Sequence, residues 1–155
     1  MNLHPRTIKN IATLDPRAQE AFAIFARLAQ HEAEKLGCDY IMIAGNRTWA
    51  EQDELHSRGR SAPGPKVTNA RGGFSNHNFG IAGDFGVFKG KVYMDEVNAK
   101  LADKVHRACA ARAEECGLDW GGHWDAFPDY PHYEIHTVFS MAQKRLRYQQ
   151  KGSVL

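Results

Sequence analysis

The chain has 155 residues, 43% of them hydrophobic and 25% charged, with a formal net charge of +2. That length suits one domain with a core of its own. The charge is too small to argue for nucleic acid, it does not oppose an anionic polymer such as a cell wall, and no apolar run approaches the ~20 residues that span a bilayer.

The N-terminal stretch MNLHPRTIKNIATL lacks the apolar segment of a secretory signal and reads as a tail holding His4. The chain is therefore expected to be made in the cytoplasm, with no stable membrane insertion. Asp15-Pro16 is a helix start, with Pro at the first helical position. Ala18, Ala21, Phe22, Phe25, Leu28 and Ala29 recur at helical spacing until Gly37. CDYIMIA (38–44) reads as a buried strand. Thr48 and Glu51 have capping-box spacing and open a short helix to about Arg58. Residues 59–80 hold five glycines, two prolines and three asparagines. A loop of that length is usually functional or disordered.

IAGDFGVF (81–88) reads as a strand, turned by Lys89-Gly90-Lys91 into VYM as a hairpin. Val97, Leu101, Val105, Ala108, Cys109 and Arg112 mark a second long helix ending at Gly117. The three cysteines, Cys38, Cys109 and Cys116, show no CxxC spacing and read as reduced packing residues. Cys109 and Cys116 are expected on one face of that helix. LDWGGHW is a strand with a tight turn, HYEIHTVF (132–139) a strand, and Ser140 caps a last polar helix that frays after Gln150. The terminal RLRYQQKGSVL carries basic residues, is open to contact with wall or lipid, and is read as a solvated helix with a loose end. Strands interrupted by helices, with a hairpin, predict an α+β fold: a small antiparallel sheet flanked by helices. No linker divides it, so a single domain over 1–155 is expected, with no separate wall-binding domain. With no long apolar patch, a monomer is expected.

Of eight histidines, His31, His56 and His106 fall in predicted helices among charged residues and are read as solvated surface. His77 differs. It lies in SNHNFGIAGD (75–84), a glycine-rich loop leading into a strand that carries Asp84. An Asp between Gly83 and Phe85 in a buried strand is costly unless paired or bound to a metal. The stretch alone leaves open a metal site, a His–Asp hydrogen bond or a surface loop. DYPHYEIH (129–136) adds a second group. Pro131 rules out an interior helix, so the His132/His136 spacing is not a helical HExxH motif. In a strand, His132, Glu134 and His136 would share one face. A catalytic zinc needs three protein ligands and an open position. His77, Asp84 and His132 meet that need, and Asp129 is the candidate general base.

The run SNHNFGIAGD resembles the SxHxxGxAxD motif of the LAS zinc peptidases, a group with lysostaphin-like, D-alanyl-D-alanine carboxypeptidase and hedgehog-type domains. DYPH resembles their second motif, although VanX-type dipeptidases have Glu where this chain has Asp129. The Asp form, the PHYE that follows, GNRTWAEQDEL and WGGHW together resemble the L-alanyl-D-glutamate endopeptidases, used by phages as endolysins and by some bacteria for wall turnover. The resemblance covers about residues 40–136. It implies a hedgehog/D-Ala-D-Ala peptidase-like fold and one Zn2+ held by His77, Asp84 and His132, with Asp129 as base. It implies Arg47 as the arginine that faces substrate and stabilises an oxyanion. Ser75, Glu134 and His136 are candidates for supporting the ligands, and Trp120 and Trp124 for walling the cleft.

The function expected is hydrolysis of the peptidoglycan stem peptide at the L-alanyl-D-glutamate bond, by a phage endolysin that reaches the wall through a holin-type pore. A D-alanyl-D-alanine or L,D-carboxypeptidase is the alternative within the family. A zinc-stabilised binding module is the alternative outside it; Asp129 argues against that, because a structural site needs no base. A non-haem Fe(II) oxygenase would space its first pair His-x-Asp, unlike the six residues here between His77 and Asp84.

Overall fold

The computed structural model describes residues 2–155. In chain order the elements are α1 (Pro5–Ile11), α2 (Pro16–Glu34), β1 (Asp39–Ala44), α3 (Trp49–Ser57), β2 (Ala82–Lys89), β3 (Val92–Tyr93), α4 (Met94–Val97), α5 (Ala99–Ala110), β4 (Leu118–Trp120), β5 (His132–Ile135) and α6 (Met141–Lys151). The sheet runs β1-β2-β5-β4, with β3 hairpinned onto β2 and every pairing antiparallel. This is the α+β architecture expected.

The apolar face of α2 lies against the sheet. Phe22 and Phe25 are fully buried. The Phe25 ring meets Phe85 edge-on at 5.3 Å and Tyr133 at 4.4 Å. Such pairs contribute about 0.5–1.5 kcal/mol beyond their buried area. Asp15 caps α2 by accepting from Arg17 N, and the Thr48/Glu51 capping box opens α3, both at the expected positions.

Tertiary contacts override the local pattern in several places. The N-terminus is no tail. His4 caps α1, which lies along the outer side of β1. There Thr7 Oγ1 accepts from Met42 N at 3.0 Å and Asn10 Nδ2 donates to Met42 O at 2.8 Å. Gln30 Oε1 of α2 accepts from Tyr40 N at 2.7 Å. The predicted second long helix is two: Asn98 breaks it and caps α5 by accepting from Leu101 N. Cys116 falls in a separate 3-10 turn and is only half-buried, whereas Cys109 is fully buried, so the two do not share a helix face. His106 is buried rather than solvated, because Asp95 Oδ1 at 2.6 Å and the Tyr40 hydroxyl at 2.7 Å satisfy both ring nitrogens. The C-terminus does not fray. Gly152 ends α6 at φ 73°, and Val154 is fully buried against Phe79 and Ile81.

Candidate metal centre

Three ligand candidates come from three pieces of backbone. Ser75 starts a 3-10 turn, Asn76–Phe79, by accepting from His77 N at 3.4 Å. Gly80 closes it at φ 67°, a conformation that favours glycine. Asp84 sits in β2 directly between Ala44 of β1 and His132 of β5. A bulge in β1 between Met42 and Ala44 falls opposite it. Bulges re-aim side chains and release backbone groups. Here Gly45 O, just past the bulge, accepts from His77 Nδ1 at 2.8 Å.

Those outer partners fix the tautomers. A carbonyl only accepts, so His77 Nδ1 carries its hydrogen toward Gly45. The Glu134 carboxylate likewise takes the Nε2 hydrogen of His132, at 2.8 Å. The inner nitrogens, His77 Nε2 and His132 Nδ1, both lie 3.1 Å from Asp84 Oδ1. All three ligand atoms lie within 4.8 Å of one another. Two imidazole lone pairs aimed at a carboxylate repel it unless a proton or a metal lies between. Ligands about 2.0–2.2 Å from a tetrahedral zinc are spaced roughly 3–4 Å apart, and outer carboxylate and carbonyl partners of this kind are usual around such sites. The donor set therefore fits a zinc ion.

Without metal, a proton fills the gap. Burial works against a charge on His132, but hydrogen bonds to Asp84 and Glu134 outweigh it and raise its pKa to about 10. Burial also opposes ionisation of Asp84, yet the two imidazoles outweigh it and hold the carboxyl well below its ordinary range. Zinc must then displace the His132 proton. Binding near pH 7.5 is expected to release about one proton, and affinity to fall about tenfold per pH unit of acidification. Calorimetry in buffers of different ionisation enthalpy reads this directly; pH-independent affinity would contradict it.

Asp129 belongs to the same place. Much of its residue surface is open, but desolvation of the carboxyl, then the negative charge of Asp84, push its pKa above the ordinary value. Arg47 Nη2 lies 3.6 Å from Asp84 Oδ2, and its Nη1 donates to Gln52 Oε1 at 2.8 Å. Trp124, 42% exposed, leans on the His132 ring at 5.0 Å. Trp120 is buried instead, stacked on Tyr130 at 5.4 Å, so it belongs to the core and not to the cleft wall. His136 is not brought in. β5 ends at Ile135, and His136 turns to the exposed Asp119 at 2.9 Å. A cleft of about 340 Å3, lined by α3 and the end of β1, shares Gly45 and Arg47 with the site but none of the three ligand candidates.

Residues 68–135 match the D-alanyl-D-alanine carboxypeptidase family of M15 peptidases. Over 107 residues the chain is 40% identical to the peptidoglycan L-alanyl-D-glutamate endopeptidase CwlK of Bacillus subtilis (strain 168). That match takes in 66% of this chain and 64% of CwlK, a little under two-thirds of its length. The Serratia marcescens L-Ala D-Glu endopeptidase ChiX superposes with a TM-score of 0.50 at 25% identity, over 88% of this chain and 90% of ChiX. The vancomycin-resistance D,D-pentapeptidase VanY, solved in complex with Zn(II), shares the fold at a TM-score of 0.53 and 15% identity, over 90% of this chain and 80% of VanY.

The site also depends on Gln52, Asn78 and Gly45, to which the sequence assigns no role. Gln52 is fully buried, and besides holding Arg47 it donates to Ala70 O at 2.8 Å. Asn78 donates to Arg47 O at 2.8 Å. Gly45 has no room for a side chain: a Cβ there would lie 2.4 Å from Thr13 Oγ1 and 2.5 Å from Asn10 O. Gly45→Ala is therefore expected to cost about 1–3 kcal/mol and to shift the carbonyl that holds His77. Stability and zinc affinity should fall together, checked by thermal melts and metal titration; a destabilised variant with wild-type affinity would contradict it.

Proposed function

We propose that the protein is a zinc-dependent peptidoglycan peptidase, a single peptidase domain that hydrolyses the L-alanyl-D-glutamate bond of the stem peptide. The observation that carries this reading is the convergence of His77 Nε2, Asp84 Oδ1 and His132 Nδ1, with tautomers set by Gly45 and Glu134. The activities of CwlK and ChiX support the choice of bond. Zinc bound at these three residues supplies Lewis acidity and brings the pKa of water toward ~7.

The chain's own groups do the rest. Asp129 takes the proton of the attacking water, and its raised pKa makes it the stronger base for that step. It then returns the proton to the leaving amine. The Arg47 guanidinium, held by Gln52 and Asp84, stabilises the oxyanion that develops at the scissile carbonyl.

Digestion of purified peptidoglycan, with and without chelator, tests the proposal. New D-glutamate amino termini, lost with chelator and restored by zinc, are expected. Free D-alanine instead would move the assignment to a carboxypeptidase. No product from folded, zinc-loaded protein would make it a binding module. In its finer form the protein is an endolysin released by a holin-type pore. Co-expression with a pore-forming protein should then lyse the host, and expression alone should not.

A further inference from the structure

Lys144 of α6 is an unusual residue to find buried, with 6% of its surface exposed. An ammonium inside a protein is costly unless negative or polar groups compensate it. Its Nζ donates to Asn76 Oδ1 at 2.9 Å. Asn76, 8% exposed, lies in the turn that carries His77, and its side chain faces the Glu134 carboxylate. Glu134 in turn accepts from His132 Nε2 at 2.8 Å. Glu134 and Asp119 are the anions that Lys144 faces. Facing polar groups, Lys144, Asn76, Glu134 and His132, thus lead from the last helix to a ligand imidazole.

We propose that Lys144 is a positioning residue for the metal centre: through Asn76 it anchors the Glu134 carboxylate, and so holds the His132 ring with Nδ1 turned to the metal. The inference rests on the metal-site reading above. Without the cation, Asn76 Oδ1 loses its donor, and the amide is free to rotate away from Glu134. Glu134 then keeps His132 in place less firmly. Beyond the end of α6, Val154 is buried against the turn's Phe79, a second contact of the C-terminus with that turn. Outer-shell partners of ligand histidines are worth about 10–100-fold in metal affinity.

The experiment titrates metal-free full-length protein with Zn2+ alone, against a chromophoric chelator. The proteins are wild type, Lys144→Met, Lys144→Arg, Glu134→Gln and the Lys144→Met/Glu134→Gln double variant, each checked for folding by circular dichroism. Lys144→Met should bind zinc about 10–100-fold more weakly, and Lys144→Arg should recover part of the loss. In the Glu134→Gln background, Lys144→Met should have little further effect, because its route to His132 is already cut. If Lys144→Met does not fold, Lys144→Ala, which removes the same donor to Asn76 with less apolar bulk, takes its place with the same expectation. Wild-type affinity in the folded Lys144 variant would overturn the proposal. So would an undiminished loss in the Glu134→Gln background, the mark of a merely structural role. A wild type that binds no zinc would overturn the metal reading itself and this inference with it.

Discussion

Asp129→Asn is expected to lower hydrolysis of the stem peptide by roughly 10²–10⁴-fold and to leave zinc in place. The loop around Asp129 is held by main chain: its N donates to Gly121 O at 3.0 Å, and its O accepts from His132 N at 3.2 Å. Among the described residues its carboxyl receives no hydrogen bond, so an isosteric amide removes basicity without removing a structural contact. Steady-state kinetics on a stem-peptide substrate, with zinc content measured on the same sample, check this. Retained hydrolysis would place the base elsewhere. Lost zinc would make Asp129 part of the metal's own support.

Asp84→Ala is expected to abolish metal binding and hydrolysis together. Asp84 is the one anion among the three ligand candidates and also pairs with Arg47. In the metal-free protein it has a second effect, which depends on pH. The Asp84 pKa is depressed in the fold, so its stabilisation is present above the unfolded value of 3.8 and fades as pH falls below it. The His132 pKa is raised, so its contribution is full below the unfolded value of 6.5 and is lost as pH climbs toward about 10. The pair therefore favours the metal-free fold most between about pH 4 and 6.5. Thermal melts of chelated wild type should peak in that window, and Asp84→Ala should flatten the peak. A variant with the same pH profile as wild type would show that Asp84 and His132 are not coupled.

Much of this was readable in the sequence where the cause is local. Asp15-Pro16 and Thr48/Glu51 are caps, and caps act within three residues. SNHNFGIAGD keeps two ligand candidates on one turn and one strand, so their spacing survives into space. What stayed hidden depends on distant partners. His106 is buried because Tyr40, 66 positions away, satisfies one of its ring nitrogens. α1 has seven residues, too few to hold a helix by themselves, and forms because β1 offers it partners. His136 looked aligned with His132 and Glu134 only while β5 was assumed to run on to residue 139. Lys144 reads in sequence as one more base on a polar helix, and its burial follows from the packing of α6 on the turn that carries His77.

The side chains along the outer side of β1 have a consequence for behaviour at high concentration. An unpaired outermost strand invites another chain to add itself, and that is a common start of aggregation. Here Thr7, Asn10 and Gln30 already occupy the N–H groups of Tyr40 and Met42 and the C=O of Met42. The N-terminal helix, with Gln30 of α2, thus plugs this edge of the sheet and leaves it less main chain to offer a second copy.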